Sequence, residues 1–213
     1  MKQLLYFFVL LFGFCSCHTG YHAITLRQTD ITPFIRKDGD ALRYHTTIDL
    51  LRNHFSGILV YKQIDSTAAH LVFITEIGMK IFDFEMGRDS LRLVYAFPGF
   101  ESRPKMIRLL KTDFSLVFLN GIYGKAAQSK TDSAVQKSYV KRLAGKPGDE
   151  FILETATKLP VEAAHRGMIR KKVVVKYRGY THGKPDQIIL RPETDLFSPS
   201  LRGYHSPSGQ GGK

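Results

Sequence analysis

Eight histidines are the first candidates for proton transfer or metal binding: His18, His22, His45, His54, His70, His165, His182 and His205. A zinc site needs several imidazole, thiolate or carboxylate ligands converging on one ion, and short fixed spacings betray that convergence in a sequence. None of the eight has such a neighbour. His18 and His22 are four apart but lie in a polar stretch without helical pattern. No metal is expected. Asp83 and Glu85 are two apart on an alternating segment, which puts both carboxylates on one face of a strand, within reach of acid–base work. They stand opposite Phe82 and Phe84, and the plainer reading is a solvated face. There is no G-x-S-x-G elbow and no H-E-x-x-H helix. Gly211-Gly212-Lys213 is similar to the end of a phosphate loop, but no helix follows to receive an anion. These residues point away from catalysis and from any cofactor.

Cys17 is the one side chain whose surroundings specify a reaction. An apolar run of about 11 residues, Leu4 to Phe14, follows Lys2 and leads into Ser16-Cys17. That length suits the core of a signal peptide, whereas a membrane-spanning helix needs roughly 20 residues. The segment resembles a bacterial lipoprotein signal peptide. The resemblance implies cleavage before Cys17 and attachment of fatty acyl chains, such as palmitate, to that cysteine. Phe14 and Cys15 stand where a strict signal has Leu and Ala or Ser, and Cys15 is the poorer acceptor because bulky Phe14 precedes it. No A-x-A-like site for plain secretion precedes residue 20. Plain secretion and an uncleaved anchor are the alternatives. His18, rather than Asp, follows the cysteine, which by the enterobacterial sorting rule implies the outer membrane. The expected division is a signal peptide at 1–16, a lipid anchor and tether at 17–40, one domain at 41–205 and a disordered Gly-rich tail at 206–213.

The chain has 213 residues and a net charge of +12, enough length for one domain with a full core. Cys15 and Cys17 are its two cysteines, so cleavage would leave no internal disulfide and no thiol catalysis. A basic surface favours anionic partners such as lipid head groups, or it simply keeps the domain soluble. Nucleic acid is not expected at an envelope address, and the chain has no Trp and no RNP-like aromatic motif.

The elements that must position these residues are mostly strands. Leu42, Tyr44, Thr46 and Ile48 alternate with polar residues at a period of two. Gly57–Ile64, Leu71–Ile77, Met79–Met86 and Leu91–Phe97 follow, joined by short turns, which predicts an antiparallel meander. Ile58, Val60 and Ile64 oppose Leu59 and Tyr61, so both faces of that strand need covering. Ser102 with Pro104 predicts a helix start. Met106, Ile107, Leu110, Phe114, Val117 and Phe118 make one apolar helical stripe ending at Asn120-Gly121. Residues 125–137 read as a loop or a weak helix, and Phe151–Leu159, Met168–Tyr177 and Gln187–Arg191 as three further strands. Gly78 predicts a tight hairpin or bulge. Ile77 is then either an exposed tip or a buried strand residue.

Phe55-Ser56-Gly57-Ile58-Leu59-Val60-Tyr61-Lys62, then Leu71-Val72-Phe73, then Glu76-Ile77-Gly78-Met79-Lys80 resemble the first hairpins of LolA/LolB-like outer-membrane lipoproteins. Thr75 to Glu85 is similar to a segment of lipoproteins of Bacteroidetes-type bacteria. The likeness covers roughly residues 50 to 97. It implies an α+β, mainly antiparallel fold: a curved half-barrel with helices covering the concave face, an acyl chain or lipoprotein as ligand, and no catalysis. On that reading Ile58, Val60, Phe73, Phe82, Phe84 and Phe114 line the ligand cavity, or their oppositely facing neighbours do. Ile77 aligns with the family's membrane-inserting residue, although Glu76 stands where the family has Pro. Arg170, Lys171 and Lys172 would hold the domain, as a monomer, against head groups. The competing expectation is an interaction module at the envelope whose apolar faces are packed by its own helices.

Overall fold

Alternation over residues 41–97 places strands where the backbone forms them. The computed structural model describes residues 20–27, 30–31, 41–50, 53–65, 68–142, 148–166, 171–192 and 200–203. First come β1 (His22–Thr25), β2 (Leu42–Leu50), β3 (Asn53–Gln63), β4 (Ala69–Thr75), β5 (Lys80–Met86) and β6 (Leu91–Ala96). Two helices follow, α1 (Pro98–Glu101) and α2 (Pro104–Val117). The chain then forms β7 (Ala126–Asp132), β8 (Lys137–Arg142), β9 (Asp149–Glu154), β10 (Pro160–Arg166), β11 (Lys171–Thr181), β12 (Lys184–Pro192) and β13 (Ser200–Gly203). All of these strands join one sheet in the order β1-β7-β8-β9-β10-β11-β12-β13-β2-β3-β4-β5-β6. Two antiparallel meanders, β2–β6 and β7–β13, are sealed where Leu201 of β13 pairs with Thr46 of β2. The edges are β1 and β6, so among the described residues the sheet is not a closed barrel.

Two glycines are required by local geometry. At Gly57 a Cβ would stand 2.1 Å from the Ile74 carbonyl oxygen, so only glycine lets β3 and β4 approach there. Gly78, at φ +84°, closes the β4–β5 loop. Its N–H donates to the Thr75 carbonyl at 2.8 Å, and the Thr75 N–H donates to Met79 at 2.9 Å. This is the three-residue hairpin with a left-handed last residue.

Opposed residues of an antiparallel pair share a face. Leu59, Phe73 and Phe82 make one cross-strand row, and Tyr61, Leu71 and Phe84 the next. All six are buried. The apolar stripe of α2, with Met106, Leu110, Phe114 and Val117 at helical spacing, is buried as well. Phe114 lies 5.6 Å from Phe82 between ring centroids, and Phe118 stacks on Tyr61 at 5.0 Å. From the other meander, the Tyr177 hydroxyl of β11 donates to the Val117 carbonyl at 2.9 Å. In a flat sheet, six strand steps would set β5 and β11 about 29 Å apart. Both touch the last turn of one helix, so the sheet bends around α2.

Four expectations need correction. The stretch 17–40 is not only a tether: β1 pairs with β7, and Leu26 and Ile31 are 1% and 0% exposed. The folded unit therefore begins well before residue 41. Residues 125–137 form β7 and the turn into β8 rather than a loop or helix. Their ladder bonds to β1 and β8 hold a polar, Ala/Ser-rich stretch whose inward residue is only Ala127. Ser102 caps nothing at the N-terminus. It closes α1, while α2 starts at Pro104 without a side-chain cap, where a missing N–H is no loss. Phe151–Leu159 is not one strand, because the chain turns at Thr155–Thr157 and returns as β10.

Candidate ligand-binding site

Four of the six expected cavity residues meet. Phe82 stands at the centre, 5.4 Å from Phe73, 5.1 Å from Phe84 and 5.6 Å from Phe114. All four rings are shut away from solvent, with Phe114 of α2 against Phe82 and Phe84 of β5. Ile58 and Val60 are elsewhere. They pair with Ile74 and Val72, on the face opposite Leu59 and Phe73, and are half-buried. Period two makes this unavoidable: an alternating strand cannot send Val60 and the rings to the same side.

On that outer face the carboxylates of β5 hold cations. Asp83 meets Nδ1 of His70 at 2.9 Å and Nζ of Lys80 at 3.4 Å, and Lys80 also sits 5.0 Å over the Tyr95 ring. Glu85 pairs with Arg92. Asp83 is buried rather than solvated, and its ion pair with Lys80 and hydrogen bond with His70 explain how a carboxylate is tolerated there.

Ile77 is 87% exposed at the tip of the β4–β5 hairpin. Glu76 beside it turns its carboxylate back to accept from the Ser56 hydroxyl at 2.6 Å. Met79 and Phe97 are also partly exposed and belong to the same end of the sheet, since the Phe97 N–H donates to the Ile81 carbonyl. Cys17, Arg170 and the tail 206–213 lie outside the described residues, as do the side chains of Lys171 and Lys172.

The other flank of α2 holds groups that sequence reasoning passed over. A cleft of about 480 Å³ is lined by Asp89, Lys111, Asp113, Asp149, His165 and neighbouring residues. Asp113 is 2% exposed, and neither carboxylate oxygen has a hydrogen-bond partner among the described residues. Burial pushes its carboxyl up to about 7. Nearby, Nδ1 of His165 lies 2.6 Å from Asp149. The available signal was position: Asp113 falls three residues after Leu110 and seven after Met106, on the apolar stripe itself.

No family model matches the sequence, and no curated relative does either. Among solved structures, a LolA superfamily protein from Nitrosomonas europaea aligns over 85% of this chain and 93% of its own, with a TM-score of 0.52 at 10% identity. The fold is LolA/LolB-like. An outer membrane lipoprotein-sorting protein domain from Vibrio parahaemolyticus matches over 84% of this chain and 87% of its own, with a TM-score of 0.50 at 8% identity. Identities this low carry the architecture alone.

Proposed function

We propose that this chain is a lipid-anchored, non-catalytic envelope protein that binds acyl chains, free or carried on lipoproteins, and helps localise them to the outer membrane. The observation that carries this reading is the placement of α2. It packs Phe114 against Phe82 and Phe84 of β5, and on our reading it is the helix that covers the concave face of a LolA/LolB-like half-barrel. Lifting it would bare a continuous apolar wall. Each methylene then buried would contribute about 0.8 kcal/mol. Acylated Cys17 holds the domain at the membrane, Ile77 dips into the bilayer, and Arg170, Lys171 and Lys172 meet head groups. The protein acts as a monomer and has no role with nucleic acid.

The test is native mass spectrometry of residues 18–213 purified from cells, followed by titration with a fluorescent fatty acid. Co-purified lipid, or saturable displacement of the probe, is expected. A clean protein mass with no probe binding would overturn the reading. It would favour the second one, an interaction module with a filled core, which draws on the tight ring packing under α2.

A further inference from the structure

The carboxylate of Asp113 lacks a donor. It is buried on α2, and both oxygens go without partners among the described residues. Buried polar groups are almost always satisfied, and the exceptions call for a reason. Among the described residues no cation supplies it. Lys111 lies two residues back on the same helix, and side chains at that spacing do not face each other. Lys125 is 3.8 Å from Asp89 instead. The cleft that Asp113 helps to line also contains Asp89, Asp149, Lys111, Lys125 and His165. It holds three carboxylates and two lysines, in a chain whose net charge is +12. His165, held through Nδ1 by Asp149, offers Nε2 as an acceptor when neutral. Thr112 and Ser115 line the same wall, with the Thr112 hydroxyl donating to the Arg108 carbonyl.

We infer that this cleft binds a primary ammonium group, with Asp113 as its counter-ion. The groups present select this chemistry. Unused acceptors call for donors, and charge-assisted N–H bonds to carboxylate are the strong kind. A metal ion does not fit, because among the described residues no three His, Cys, Asp or Glu side chains converge. The unpartnered carboxylate of Asp113 disfavours an anion beside it. A primary ammonium is compact and carries three donors, enough for both oxygens of Asp113 and one further acceptor. Its source is either a free amine or the ethanolamine head group of a lipid. The site lies on the opposite flank of α2 from the ring cluster and does not depend on acyl-chain binding.

The probe is ethanolamine, titrated calorimetrically into the purified chain. Saturable binding is expected, weakened at least tenfold in Asp113→Asn, and choline, which has no N–H, should bind at least tenfold more weakly than ethanolamine. Thermal melts keep this falsifiable, since ethanolamine should raise the wild-type midpoint and leave that of Asp113→Asn unmoved. On the wild type alone, the carboxyl ¹³C resonance of Asp113 should shift on saturation. Vesicles distinguish the source. Retention on phosphatidylethanolamine over phosphatidylcholine, competed by ethanolamine, identifies a head group; binding in solution without vesicle preference identifies a free amine. No ethanolamine binding, equal binding by Asp113→Asn, equal binding of choline, or a static resonance would each overturn the inference. Because ethanolamine has no acyl chain, this outcome is separate from the fatty-acid titration.

Discussion

The two flanks of α2 are built on opposite principles. Toward β3–β5 the helix presents Phe114 to a bank of rings. Toward the β9–β10 side it presents Asp113, an unpartnered carboxylate, near the Asp149–His165 pair. One flank supplies cohesion through apolar burial and ring geometry. The other holds a group that resists burial. A helix packed this way is fastened on one side and held less firmly on the other.

The largest expected effect tests the fastened flank. Phe82→Ala or Phe114→Ala should cost about 3–5 kcal/mol in denaturant melts. A loss under 1 kcal/mol would mean that the rings are not the fastening. The loosened flank should respond in the opposite direction. The Asp113 carboxyl titrates at 3.8 when unperturbed and at about 7 when folded. Between those values the unfolded chain holds fewer protons, so stability falls as pH rises through that window. Asp113→Leu removes the titration. At pH 8 it should be more stable than wild type by up to roughly 4 kcal/mol, a gain that shrinks toward zero by pH 4. Equal stability at both pH values would show that the carboxylate is solvated or paired after all.

A smaller effect belongs to Tyr177, whose hydroxyl ties β11 to the Leu116 and Val117 carbonyls. Tyr177→Phe should cost about 1–2 kcal/mol, because those helix-end carbonyls lose a buried donor. It should also speed amide exchange in the last turn of α2. The smallest change in folding is expected for Ile77→Ala, within about 0.5 kcal/mol for an exposed tip, together with weaker sedimentation on anionic vesicles. Unchanged sedimentation would remove Ile77 as a membrane contact.

Much of the first meander was legible in the sequence, because β2 alternates and the short strand-like runs after it are joined by tight turns. The hairpin at Gly78 and the apolar stripe of α2 could be read for the same reason. The second meander was harder. In β7 and β8 the polar Gln128, Ser129, Lys130 and Lys141 sit on strands held by ladder bonds, and backbone pairing leaves no trace in side-chain pattern. β1 was hidden because four residues cannot show a period, and its pairing partner lies about a hundred positions away. Within the candidate site the four phenylalanines were recoverable, yet Ile58 and Val60 were grouped with them although alternation puts them on the other face. The cleft beside Asp113 is assembled from α2 and the segment after it, the β5–β6 turn, β9 and β10, and no spacing in a sequence reports that meeting. The carboxylate on an apolar stripe was the only trace it left.

Hydrogen exchange of the α2 amides, with and without saturating fatty acid, tests the central claim most directly. If α2 is a cover over the ring cluster, protection across Leu110–Val117 should fall on binding while that of β3 and β4 holds or rises. Unchanged or increased protection of α2 with fatty acid bound would contradict it and leave the helix as a fixed part of a filled core.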